Sequence, residues 1–290
     1  MIRYRVRHRT TYRYAHAVRF ARCNLRLAPL DGRGQAIAGR TLTIDPPADV
    51  TPARSCGYPV VTERAVIARP ATSLAIESRF EATVTRETPE PRAGDLPAAA
   101  VAAAALASRD LSGEGPAAYL APSPLVALAH ATTDWCGTTL GEGGIVAVGL
   151  ALARRIQAEL RYDGSATAVT TRPAQAFAAR AGVCQDFAQI MIAGARGLGV
   201  PAAYVSGYLR TDPPPGRPRL VGADASHAWA MLWCGPERGW VGFDPTNGCL
   251  VGPDHIILGV GRDYADVAPI DGVFSGQEGQ SVAVEVDVVG

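Results

Sequence analysis

No run of about 18 uninterrupted apolar residues, the length a membrane-spanning helix needs, occurs in this 290-residue sequence. Charge of either sign is not in excess. A formal net charge of +1 removes the overall electrostatic case for nucleic acid, a membrane surface or an acidic partner. The six cysteines (Cys23, Cys56, Cys136, Cys184, Cys234 and Cys249) contain no CxxC pair. That spacing suggests neither a zinc module nor a disulfide framework, and no metal or organic cofactor is expected. The opening Met1–Arg7 alternates in polarity and lacks the apolar region of a signal peptide. A reduced, cytoplasmic protein is the expectation.

What is present suits a folded protein with a sizeable core: 48% hydrophobic and 19% charged residues, in a chain long enough for one large or two modest domains. The first ninety residues have the period of two that marks half-buried strands. Ile2, Tyr4, Val6 and His8 alternate with Arg3, Arg5, Arg7 and Arg9. Without a net basic domain, that arginine row predicts a solvated strand face rather than a nucleic-acid patch. Leu42 and Ile44 mark a second strand. From Ser73 to Thr85, Leu74, Ile76, Phe80, Ala82 and Val84 point one way and Glu77, Arg79, Glu81 and Thr83 the other. Glycine and proline punctuate these runs, so an antiparallel β-sandwich is expected.

The proline-rich, charged stretch Arg86–Pro97 is the linker candidate. It divides an N-terminal β-domain, 1–90, from a second domain, 91–290. Beyond it, Ala98–Ser108, Pro124–Thr133 and Ile145–Leu160 have helical patterns, the last with Val148, Leu152, Ile156 and Leu160 on one stripe. His130 and Trp135 are expected to be structural. The run Asp212-Pro-Pro-Pro-Gly-Arg-Pro218 reads as an irregular loop, either overhanging a cleft or serving as a plain connector. Val282, Val284, Val286 and Val288 alternate as a closing strand.

Chemistry concentrates between Gly182 and Asn247. Phe187, Ile190, Met191, Ala195 and Leu198 recur at helical spacing until Gly199 and Pro201 stop the helix, which places Cys184 at a helix start. There, unpaired N–H groups and the helix dipole favour a thiolate. Ser226–Trp233 alternates as a strand carrying His227, and Gly239–Thr246 is a second strand ending at Asp244-Pro245. A nucleophile on a helix start, a base on one strand and an orienting carboxylate on the next suit thiol acyl transfer. Taken singly, each residue would more often be structural; together they make Cys184, His227 and Asp244 the candidate catalytic set.

The segments Gly182-Val-Cys-Gln-Asp-Phe-Ala188, Gly199-Val-Pro-Ala-Ala-Tyr-Val-Ser-Gly-Tyr208, Ala225-Ser-His-Ala-Trp229 and Gly239-Trp-Val-Gly-Phe-Asp-Pro-Thr-Asn247 resemble the core of the bacterial transglutaminase-like superfamily. Asp254–Pro269 resembles the subgroup that carries an N-terminal β-domain. The resemblance implies an α+β protein whose β-sandwich precedes a papain-like core, a helix packed on an antiparallel sheet. It puts that family's Cys-His-Asp triad on Cys184, His227 and Asp244. The implied activity is a cysteine peptidase or amidase acting on a peptide or protein substrate. A protein-glutamine transglutaminase and a non-catalytic binding module on the same fold are the alternatives. Papain-like enzymes often place Gln six residues before the nucleophile; here that position is Ala178, leaving Gln185 and Tyr162 as candidate oxyanion donors. Arg262 and Asp263 are expected to pair and hold a loop. The resemblance leaves a cleft-lining role for them and for His255 as the alternative.

Overall fold

The computed structural model describes residues 1–53, 57–211, 226–276 and 279–290. The chain opens with six strands: β1 (Ile2–Val18), β2 (Phe20–Ala28), β3 (Gln35–Asp45), β4 (Asp49–Pro52), β5 (Val61–Ile67) and β6 (Ala71–Val84). Three helices follow, α1 (Ala98–Ala107), α2 (His130–Leu140) and α3 (Ile145–Glu159). The short strands β7 (Arg161–Tyr162) and β8 (Ala181–Gly182) flank α4 (Pro173–Ala179) and lead into α5 (Cys184–Gly197). Next come β9 (Ala202–Leu209), β10 (Ser226–Trp233), β11 (Trp240–Asp244), β12 (Cys249–Leu250) and β13 (His255–Gly261). The chain ends with α6 (Tyr264–Val267), β14 (Ile270–Ser275) and β15 (Gln280–Val289).

Two four-stranded sheets, ordered β15-β1-β6-β3 and β14-β2-β5-β4, form the sandwich. The chain's last two strands thus lie on the edges of sheets built from its first ninety residues. A cut at residue 90 separates the sequence but not these sheets. Leu74 and Ile76 of β6 pack with Leu25, Leu27 and Ile67 inside the sandwich. Further along the same face, Phe80, Ala82 and Val84 join Tyr4 and Val6 against Tyr208, Ile256 and Leu258 of the next sheet. One strand face therefore serves two cores. In β15, Val286 and Val288 reach that second cluster, while Val282 and Val284 are exposed.

The central sheet runs β12-β11-β10-β9-β13, antiparallel throughout, with α5 packed on β9 and β10. Every residue of α5 from Gln185 to Arg196 is buried, because α2, α3 and α4 enclose the side away from the sheet. Its Phe187, Ile190 and Met191 each stabilise the fold by about 1.5–3 kcal/mol through apolar burial. The close approach of α2 depends on glycine: a Cβ at Gly194 would stand 2.2 Å from the Cys136 sulfur. At the helix end, the Val200 N–H returns to the Ala195 carbonyl at 2.9 Å, with Gly199 at φ +78°.

Two sequence expectations are corrected. The helix expected over Pro124–Thr133 begins only at His130. Ahead of it, the Leu125 N–H donates to Asp263 Oδ2 at 2.7 Å and the Ser123 N–H to the Val126 carbonyl, bonds incompatible with a helical ladder. Arg262 pairs with Asp266 through two bonds of 2.9 and 3.0 Å, not with Asp263. Asp263 instead caps α6, accepting from the Ala265 N–H. The proline-rich run at 212–218 and Cys56 lie outside the described residues.

Candidate active site

Cys184 is the first residue of α5, after Val183 in extended conformation. Asp186 secures that start: its Oδ2 accepts from the Val183 N–H at 2.9 Å and from Thr167 Oγ1 at 2.6 Å. Gly182 is required beside it, since a Cβ there would lie 2.6 Å from the Asp186 carboxylate. As a first-turn residue, Cys184 has a backbone N–H with no intrahelical acceptor, available to a developing oxyanion. Gln185 Nε2 donates to the Val169 carbonyl at 2.9 Å, which commits one of its two N–H groups. Tyr162 is 58% exposed, and burial, then the charge of Cys184, raise its hydroxyl pKa.

His227 stands near the start of β10, opposite Gly207 of β9. Its Nε2 donates to Asp244 Oδ2 at 2.8 Å, and it also bonds with Cys184. With Nε2 engaged by the carboxylate, Nδ1 is the nitrogen left for the sulfur. Burial alone would lower the imidazole pKa. The hydrogen bonds and charges of Asp244 and Cys184 outweigh it and raise the value to about 9. The imidazolium is therefore the favoured form near neutral pH.

Asp244 ends β11 and has no exposed surface. Burial would raise its pKa, but bonds from His227, His255 and Asn247 hold it well below the usual carboxylate range. Oδ2 accepts from His227, from His255 Nε2 at 3.2 Å and from Asn247 Nδ2 at 2.6 Å. Oδ1 accepts from the N–H groups of Thr246 and Asn247 at 2.9 and 3.1 Å. The Asp-Pro-Thr-Asn turn thus folds back on its own carboxylate.

All three expected site residues are brought together. Sequence reasoning gave His255 a cleft-lining role only as an alternative, and the fold places it on the Asp244 carboxylate. A lone histidine in an apolar run carries no signal of that kind. The atoms of His227, Asp244 and His255 lie within 4.8 Å of one another, near enough to suggest a metal site. The donor set argues otherwise. The Gly252 N–H points at His255 Nδ1 at 3.3 Å, so the ring proton is on Nε2 and that lone pair is not free. The cluster is a hydrogen-bonded one. Trp229 is fully buried between these rings, 5.2 Å from His255 and 6.0 Å from His227.

The family model for the transglutaminase-like superfamily matches residues 128–245, and that for the bacterial transglutaminase-like N-terminal region matches residues 4–83. The chain belongs to the transglutaminase-like superfamily. An uncharacterised protein of Mycobacterium tuberculosis in this relationship is 37% identical over 293 residues, 99% of this chain and 92% of its own. A protein-glutamine gamma-glutamyltransferase of Pseudomonas aeruginosa is 38% identical over 90 residues, 31% of this chain and 13% of that protein. The crystal structure of a candidate cysteine protease from Cytophaga hutchinsonii shares the fold, with a TM-score of 0.77, 18% identity and coverage of 99% of this chain and 90% of that one. The superfamily assignment thus spans both the sandwich and the helix-on-sheet core. Among the described residues, no helix is long and apolar enough to cross a membrane.

Proposed function

We propose that the protein is a cysteine-dependent acyl-transfer enzyme that hydrolyses a peptide or isopeptide bond through Cys184, His227 and Asp244. The observation that carries this reading is the line from the half-buried helix-start thiol through the buried His227 to the buried Asp244. The Cys184 thiolate attacks the amide carbonyl, forming an S–C bond, and the carbonyl electrons move onto oxygen near the Cys184 N–H. As the tetrahedral intermediate collapses, the C–N bond breaks and His227 gives its proton to the leaving amine. Water then attacks the thioester, His227 takes its proton, and the C–S bond breaks to release the acid. Asp244 keeps its charge throughout and stabilises the imidazolium. The substrate is a peptide or protein, met in a cytoplasmic setting.

The local likeness to a gamma-glutamyltransferase favours one second reading, in which an amine rather than water takes the acyl group. The chain contains no lysine, so it offers no side-chain amine of its own to confuse the test. Peptide libraries containing glutamine and lysine isopeptides, with excess primary amine, are followed by mass for free acid, amine adduct and the Cys184 thioester. Free acid that disappears in Cys184→Ala is the expected result. A dominant amine adduct would convert the reading to a transglutaminase. The thiols give a parallel check. Burial pushes Cys23 and Cys249 up to about 11 and Cys136 and Cys234 up to about 12. Iodoacetamide at neutral pH should therefore label Cys184 ahead of these four. Equal labelling would remove the activated nucleophile.

A further inference from the structure

Three residues of the N-terminal segment reach one short piece of the core, the turn into β13 and its first residues. Tyr4 Oη donates to Asp254 Oδ1 at 2.7 Å. Arg86 Nη2 donates to the His255 carbonyl, and its Nη1 to the Arg33 carbonyl at 2.8 Å. Gln35, itself buried, makes a two-way bond: Nε2 donates to the Ile257 carbonyl and Oε1 accepts from the Ile257 N–H, each at 2.8 Å. His255 lies in the middle of this clamp. Its side chain spans from the Gly252 N–H at Nδ1 to Asp244 Oδ2 at Nε2. Trp229 closes edge-on against the same ring, an approach Gly207 permits because a Cβ there would stand 2.4 Å from the indole.

We propose that His255 is a positioning residue for Asp244, and that the N-terminal sandwich holds it in place through Tyr4, Gln35 and Arg86. The proposal rests on the acyl-transfer reading of the Cys184 site. Two backbone N–H groups fix Oδ1, and three side-chain donors meet at Oδ2. His255 supplies the donor that comes from outside the Asp244 turn and the His227 strand, so it ties the carboxylate's orientation to β13, the edge strand on the other side of β9. The sandwich then has a chemical role: it fixes the strand that fixes the carboxylate that orients the base.

Among the described residues, the titratable groups facing His227 are Cys184 from α5, Asp244 from β11 and His255 from β13, so the His227 titration reports on that set. The test follows that titration by nitrogen-15 NMR, with near-ultraviolet circular dichroism to check the fold and no substrate present. His255→Leu removes the donor; His255→Gln keeps an amide N–H near the place of Nε2. In His255→Leu the midpoint should fall from about 9 by about one unit, as the carboxylate turns from the imidazolium. Peptide turnover should fall by about 10-fold to 100-fold in kcat with little change in KM, the usual scale for a residue acting through its neighbour. His255→Gln should recover most of both. Tyr4→Phe, which deletes one hydroxyl and leaves the packing, should move the midpoint the same way by less. It also keeps the test open if His255→Leu does not fold. An unchanged His227 midpoint in folded His255→Leu, or in Tyr4→Phe where the leucine variant fails to fold, overturns the proposal. Failure of the acyl-transfer reading has a separate mark: no thioester on Cys184 with any library peptide.

Discussion

Along β6, Leu74, Ile76, Ser78, Phe80, Ala82 and Val84 are buried, while Glu77, Arg79 and Glu81 between them lie partly or fully in solvent. Along β13, every residue from His255 to Gly261 is buried. The sandwich sheet has one dry face and one wet face; the central sheet is covered on both, by helices and by the sandwich. A polar residue on β6 can turn to water. On β10, β11 or β13 it has no such exit and must find a partner inside. His227, Asp244 and His255 sit on those three strands, and both histidines find Asp244. The candidate site is where the enclosed sheet keeps its polar side chains.

The sharpest way to break that comparison is to remove charge from the enclosed side. Asp244→Asn should fold and lose turnover by roughly 10⁴-fold, since an amide can hold the wrong imidazole tautomer. The upper limb of the pH–rate profile should lie near pH 9, where His227 loses the proton it gives to the leaving amine. In the variant that limb should move down toward the ordinary value of 6.5. Stability follows with a definite sign. The raised His227 pKa contributes stability that is full below 6.5 and lost as pH rises through about 9. The depressed Asp244 pKa contributes above its ordinary value of 3.8 and is lost as pH falls below it. Wild type should therefore exceed Asp244→Asn in stability most between those two ordinary values. Unchanged turnover in the folded variant would take Asp244 out of the mechanism.

The two sheets also differ in how they show in the sequence. The β6 face was legible because a one-sided strand must alternate. The α5 stripe was legible because Phe187, Ile190 and Met191 keep helical spacing. Cys184, His227 and Asp244 were found through their motifs and their order. The pairing of β14 and β15 with β2 and β1 was not, since partners 245 to 284 residues apart leave no local trace. His255 stayed ambiguous for the same reason that it matters. In a strand buried on both faces there is no period to break, so a polar residue does not stand out as facing a site. Arg262 was matched with its neighbour Asp263, although one turn of α6 brings Asp266 to it.

Alanine substitutions at adjacent positions sharpen the contrast at a smaller scale. Ile256 packs toward the sandwich and Ile257 toward Trp229, on opposite faces of β13. Both Ile256→Ala and Ile257→Ala should cost about 2–5 kcal/mol in denaturant unfolding. On β6, Ile76→Ala should cost as much, while Glu81→Ala should stay within about 0.5 kcal/mol. A cheap Ile257→Ala would mean that the central sheet has a loose face after all.

The smallest effect belongs to the wet face of the sandwich, where the arginine row lies. Glu77 on β6 accepts from Arg79 at 2.6 Å and Arg7 at 2.9 Å and lies 3.5 Å from Arg9, and Asp287 on β15 stands 3.3 Å from Arg7. These carboxylates meet the row across the strands, as a solvated face rather than a free cationic surface. Burial would raise the Glu77 pKa, but the bonds from Arg79 and Arg7 lower it. Its contribution is therefore present above the ordinary value of 4.5 and is lost as pH falls through the depressed one. Ion pairs at a surface contribute about 0–1 kcal/mol, screened by salt. Glu77→Gln should lower stability at pH 7 by less than about 1 kcal/mol, and by less again at molar salt. It should also flatten the acid side of the stability curve slightly. A loss of several kcal/mol, unaffected by salt, would show that this carboxylate belongs with the enclosed set, and that the outer face of β6 is not open to water.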